Sequence, residues 1–277
     1  GELSFNLGDP VEGYTNFLWT LLLGVGMFLG LAPEPTSLVL GNAFAIGTLY
    51  VAFRLVEMVT RRGSPWAYLP PALLALSSGF ACWSSGGLET QLFTVLCTAA
   101  IYCYVRGDGR DPAGTPNGDG RWLGRAGALL ALAAMTRPEG LIVAAVIAVH
   151  RVGIAVARDR RAPFSPHELR AAASFLALWA PWFAWRWWYY GWPFPNTYYV
   201  KAAGPAVSGY DAAMHAHGAH YVWQWLTQAK VLWVAPLIVL GLAWARPRTP
   251  RFVLGSLLLP LAGIYLGYTI SVGGDFM

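Results

Sequence analysis

Trp185-Arg-Trp-Trp-Tyr-Tyr-Gly-Trp-Pro-Phe-Pro-Asn-Thr-Tyr-Tyr-Val-Lys201 decides how this chain is read. It opens as the end of an apolar run, breaks at Gly191, Pro193 and Pro195, and closes on Lys201, one of two lysines in 277 residues. Trp and Tyr pair an apolar ring with an N–H or O–H that seeks water, so they collect where a helix leaves the hydrocarbon of a bilayer. The stretch marks such an exit, with a long polar loop over 190–230 beyond it.

Composition agrees. Hydrophobic residues make up 56% and charged residues 12%, about half the charged share of a soluble domain. The net charge of +5 excludes a nucleic-acid reading, because the arginines sit in short loops between apolar runs and not on one basic face. Cys82, Cys97 and Cys103 lie in or beside apolar runs and read as small buried hydrophobes, not as a disulfide framework. A start at Gly1 without Met and a stop at Met277 just after an apolar run read as an internal piece of a longer protein.

Apolar runs recur at about 37–58, 66–83, 90–105, 123–136, 140–157, 171–189, 231–245 and 252–272. Each is a candidate to cross ~30 Å of hydrocarbon, the shorter ones with help from their flanks. Fifteen of the 19 basic residues fall in four of the intervening loops or in the run ends beside them: Arg54, Arg61 and Arg62; Arg106, Arg110, Arg121 and Arg125; Arg151, Arg158, Arg160, Arg161 and Arg170; Arg246, Arg248 and Arg251. The positive-inside rule puts those loops in the cytoplasm and yields eight alternating spans. A ninth span at 14–31 would place Arg61 and Arg62 outside, so 14–31 reads as an amphipathic helix lying in the outer interface. The expected fold is an all-α polytopic transmembrane bundle of about eight spans plus that interfacial helix. It forms one domain over 1–277, incomplete at both ends.

On this threading the exterior holds 1–36, 84–89, 137–139, 190–230 and 273–277, and the distinctive polar residues gather there. The clusters are Glu12-Gly13-Tyr14-Thr15-Asn16, Gly86-Gly87-Leu88-Glu89-Thr90, Thr136-Arg137-Pro138-Glu139-Gly140 and Pro195-Asn196-Thr197-Tyr198-Tyr199-Val200-Lys201, joined by Gly273-Gly274-Asp275. Each has an ordinary explanation. Glu89 and Glu139 suit the first turn of a helix, where the helix dipole favours a carboxylate. Pro138 suits a helix start, Arg137 has Glu139 to pair with, and Tyr198 and its neighbours suit an interface. Taken jointly they suggest one cavity at the outer surface. There Arg137 and Lys201 hold an anionic headgroup such as a lipid phosphate, while Tyr14, Asn16, Glu89, Glu139, Asn196, Tyr198 and Asp275 contact a sugar or take a proton from an acceptor hydroxyl. His215, His217 and His220 carry a spacing that a divalent metal can use. With only Asp211 nearby, a flexible interfacial loop is the preferred reading.

The pieces Val11-Glu-Gly-Tyr-Thr-Asn-Phe-Leu-Trp19, Gly87-Leu-Glu-Thr90, Arg137-Pro-Glu-Gly140, Tyr190-Gly…Pro195-Asn-Thr-Tyr-Tyr199 with Lys201, and Gly273-Gly-Asp-Phe-Met277 resemble, in this order, bacterial membrane glycosyltransferases of the GT-C superfamily. Their best-known branch is the mycobacterial terminal β-(1→2)-arabinofuranosyltransferases. The resemblance implies an inverting enzyme of the bacterial inner membrane. It would move a sugar, arabinofuranose in that branch, from a polyprenyl-phosphate donor to a cell-envelope glycan or lipid acceptor on the periplasmic face. It leaves a divalent metal open as cofactor. It also implies a catalytic Asp from an Asp-Asp pair ahead of the Glu-Gly-Tyr-Thr-Asn motif. No such pair occurs in this sequence, so the expected base lies upstream of Gly1, and Glu12, Glu89 and Asp275 are the fallback carboxylates. The competing reading is a lipid-linked-sugar transporter or flippase, which the near absence of charge inside the runs disfavours.

Overall fold

In the computed structural model the described residues are 8, 11–60, 63–108, 120–160, 164–196, 199, 210–243 and 249–274. Their regular structure is helical throughout, and no strand occurs among them. In chain order the helices are α1 (Phe17–Phe28), α2 (Pro33–Val59), a 3₁₀ turn (Pro65–Tyr68), α3 (Leu69–Ala75), α4 (Ser78–Ser84), α5 (Thr90–Asp108), α6 (Arg121–Thr136) and α7 (Gly140–Gly153). A π turn (Ile154–Arg158) follows α7, and then come α8 (Pro166–Tyr190), α9 (Tyr210–Gln228), α10 (Val231–Ala243) and α11 (Pro250–Ser271).

Among the described residues three helices are long and apolar enough to cross a membrane: Pro33–Val59, Gly140–Ala157 and Pro250–Ser271. They turn large apolar side chains outward, such as Ile46 at 67% and Val149 at 72% exposure. In water that would be costly, at about 25 cal/mol per Å² of apolar surface; against lipid tails it is not. α1 has 12 residues, hence ~18 Å at 1.5 Å per residue, too short to cross.

Two expectations are corrected. The run 66–83 is not one helix. Pro70 sits in the first turn of α3, where proline is tolerated, and the chain breaks again at Ser77 before α4. Seven-residue pieces reach only ~10 Å each. The second concerns the expected loop over 190–230, much of which is helix, because α9 fills 210–228.

The core lies among α5, α6, α7 and α11. Ala100, Tyr104, Ala133, Val253 and Leu257 are almost wholly buried there. α6 packs tightly on α5 and α8 because it offers small residues. A Cβ on Gly127 would stand 2.1 Å from the Ala171 carbonyl oxygen of α8, and one on Gly140 would meet the Ala134 nitrogen at 2.5 Å. Without hydrophobic drive between helices in lipid, such backbone approach is what dispersion and close packing need.

α8 begins with a capping box. The Ser165 hydroxyl accepts from the helix and Glu168 reaches back to the Ser165 N–H, satisfying two orphan donors. It ends at Gly191 in the left-handed region (φ 73°), which glycine adopts without a Cβ penalty.

Candidate functional site

The segment Val11–Asn16 is where distant parts of the chain meet. It has no regular structure of its own, so its side chains take their partners from the helix ends around it. Glu12 and Tyr14 turn toward α8, and Asn16 turns toward α5.

On the α8 side, Arg186 Nε donates to Glu12 Oε1 at 2.8 Å, and Arg186 Nη2 donates to Glu12 Oε2. This bidentate pair is buried, at 6% and 4% exposure for Glu12 and Arg186. Arg186 Nη1 also donates to the Pro193 carbonyl at 2.7 Å. The Asn196 N–H donates to the Glu12 carbonyl at 3.2 Å, and the Tyr14 and Tyr190 hydroxyls lie 2.8 Å apart. Burial raises the Glu12 carboxyl above its ordinary value, and the Arg186 guanidinium only partly opposes it. Phe17 closes the contact against Trp182 and Trp185.

On the α5 side, Asn16 Nδ2 donates to Glu89 Oε2 at 3.0 Å, and Thr20 Oγ1 donates to Asn16 Oδ1 at 3.2 Å, which fixes the amide. Arg137 Nε lies 3.8 Å from Glu89 Oε1 and 3.6 Å from Glu139 Oε2. Charge-assisted N–H···O bonds close to about 2.7–2.9 Å, so these two contacts are looser ion pairs. Tyr268 of α11 donates to Glu139 Oε1 at 3.4 Å. Glu139 Oε2 is buried and accepts no hydrogen bond from the described residues. Arg137 lies over the Phe93 ring with a third of its side chain exposed.

Local sequence sets this geometry. Gly87 at φ +72° turns the chain so that Glu89 enters just ahead of α5, and a Cβ on Gly87 would press Ser37 Oγ at 3.1 Å. Arg137-Pro-Glu-Gly140 is the tight α6–α7 corner, where the Gly140 N–H bonds back to the Arg137 carbonyl. Its brevity keeps a guanidinium and a carboxylate side by side.

The structure brings together Asn16, Glu89, Arg137 and Glu139, with Glu12, Tyr14 and Asn196 in the adjoining corner. Lys201, Tyr198 and Asp275 lie outside the described residues. One role changes. Glu12 is held on both oxygens by Arg186, so it ties helix α8 to the N-terminal segment and is poorly placed as a fallback base. Among the described residues no group of three His, Cys, Asp or Glu could hold an ion. His215 and His217 are two apart on α9 and face away from one another, while His217 Nδ1 bonds the Gly273 carbonyl at 2.9 Å.

Sequence reasoning missed Arg186, Tyr190 and Tyr268. For Arg186 the signal was present, since a lone arginine in an apolar helix asks for a partner. Tyr268 had none; it is one tyrosine among several.

The set can hold a polyhydroxyl ligand. Two carboxylates accept from hydroxyls, an amide and a phenol orient them, and one guanidinium gives charge. No protein-family model matches this chain, and no match to it was found among curated proteins or solved structures.

Proposed function

We propose that this chain is the binding cavity of a membrane glycosyltransferase of the GT-C kind. It takes a sugar from a polyprenyl-phosphate donor to a cell-envelope glycan or lipid acceptor at the outer face of a bacterial plasma membrane. The observation that carries the reading is the cluster of Asn16, Glu89, Arg137 and Glu139, drawn from three distant segments to one end of an apolar helical bundle.

In the transfer, the acceptor oxygen bonds to the anomeric carbon as that carbon's bond to the phosphate oxygen breaks. The acceptor proton passes to a carboxylate, and the lipid phosphate leaves with the electron pair. Glu89 is the described fallback carboxylate still open for the proton, and Asn16 holds its second oxygen. Arg137 faces the negative charge that grows on the leaving phosphate.

The test is turnover of polyprenyl-phosphate arabinofuranose and related donors by protein reconstituted in liposomes. Arg137→Ala and Glu89→Gln are each expected to lower turnover by about 10²–10³-fold while the unfolding midpoint stays near wild type. Unchanged turnover in both variants overturns these roles. Movement of a lipid-linked sugar across the liposome without any glycosidic product supports the transporter reading instead.

A further inference from the structure

α5 runs from the Glu89 corner to Arg106, and α6 returns from Arg121 to Arg137. Seventeen residues at 1.5 Å each put Arg106 about 25 Å from the cluster above, at the opposite end of the bundle. There the Trp122 ring of α6 carries two guanidiniums. Arg106 Cζ lies 4.5 Å and Arg125 Cζ 4.4 Å from its ring. Arg106 Nη1 donates to Tyr102 Oη at 2.7 Å, and the Tyr102 ring meets Trp122 edge-on at 6.0 Å. Both arginines are exposed.

Among the described residues neither arginine has a carboxylate partner. Asp108 and Glu168 at this end both bind Arg151, at 2.7 and 2.8 Å, and Glu57 pairs with Arg54. The described carboxylates at this end are thus each paired with another arginine, and Arg106 and Arg125 lie exposed on aromatic rings that suit the border between hydrocarbon and headgroups. Cation–π stacking fixes a guanidinium's plane and leaves its N–H edge to donate. Two such edges on one indole fit the oxygens of a phosphodiester.

We propose that Arg106, Trp122 and Arg125 form a site for the phosphate headgroup of an anionic phospholipid, distinct from the Glu89–Arg137 cluster and independent of the transferase reading. The lipid's acyl chains lie along the exposed apolar flanks of the bundle, and its phosphate bridges the two guanidiniums.

The experiment is native mass spectrometry of the purified protein in detergent with dioleoyl phosphatidylglycerol or dioleoyl phosphatidylcholine. Wild type is expected to retain the glycerol lipid at least fivefold over the choline lipid, and Arg106→Gln/Arg125→Gln to lose that preference. Arg251→Gln, which removes a charge at the same end, keeps it. A preference unchanged in the double variant overturns the site. An equal loss in Arg251→Gln overturns it too, by showing bulk charge at work. If millimolar inorganic phosphate displaces the lipid, the site takes a free anion and the lipid assignment falls. Should the double variant not fold, Arg125→Gln alone decides: a twofold or greater drop supports the site, and no drop rejects it.

Discussion

Replacing Glu12 by Leu leaves the Arg186 guanidinium buried with the Pro193 carbonyl as its remaining described partner. Both members of the pair are less than a tenth exposed, so water cannot readily take the carboxylate's place. Removing one partner of a buried ion pair costs about 3–5 kcal/mol. With ~2.1 cal/mol/K of unfolding entropy per residue, 277 residues give ~0.6 kcal/mol/K, so the midpoint should fall by about 5–9 °C. Replacing both members, Glu12→Leu with Arg186→Met, removes the charge along with its partner. The Pro193 carbonyl then loses a donor, worth ~1 kcal/mol, while the apolar pair recovers the desolvation of two ions. The double variant should therefore melt within about 3 °C of wild type. Intrinsic tryptophan fluorescence during heating in detergent reads all three proteins. A Glu12→Leu shift under 2 °C, or a double variant as unstable as the single one, would refute the claim that this pair is a desolvated tie.

Two further outcomes follow from the same geometry. Gly127→Val drives a side chain into the Ala171 carbonyl and should cost roughly 1–3 kcal/mol. Gly263→Ala, whose Cβ meets nothing within 4 Å, should be neutral or gain a few tenths through helix propensity; equal melting of the two variants would show that α6 and α8 do not pack this closely. Burial raises the Tyr14 phenol above its ordinary value of 10.0. Its contribution to stability is thus complete below about pH 10 and is lost as pH climbs through the raised value. Wild type should lose midpoint between pH 9 and 11.5 more steeply than Tyr14→Phe, and parallel losses would count against that phenol.

Helical class was legible because apolar runs bounded by Gly, Pro and Arg permit little else in lipid. The corners were legible too: Gly87 ahead of Glu89 and Pro138 ahead of Glu139 mark where helices begin, so the residues beside them collect at helix ends. What failed has physical causes. Hydropathy sums over 66–83 without registering that Pro70-Pro71 and Ser77 divide it. The polar content of Tyr210–Gln228 hid a helix that packs on α11, where a Cβ on Gly218 would meet the Ile270 carbonyl at 2.4 Å. Arg186 was visible as a charge, but its partner lies 174 positions away, and no local pattern carries that distance.

That separation has a consequence for biosynthesis. Glu12 leaves the ribosome long before Arg186, and Asn16 precedes Glu89 by 73 positions. At 5–20 residues per second, Glu12 waits about 9–35 s for its counter-ion, through the synthesis of every helix from α1 to α7. The N-terminal corner is thus completed in two steps: the Asn16–Glu89 contact becomes available midway, and the Glu12–Arg186 tie is made only once α8 is in place, ahead of the α11 contacts to the core. A nascent chain stalled before α8 would lack the arginine that Glu12 pairs with in the finished fold.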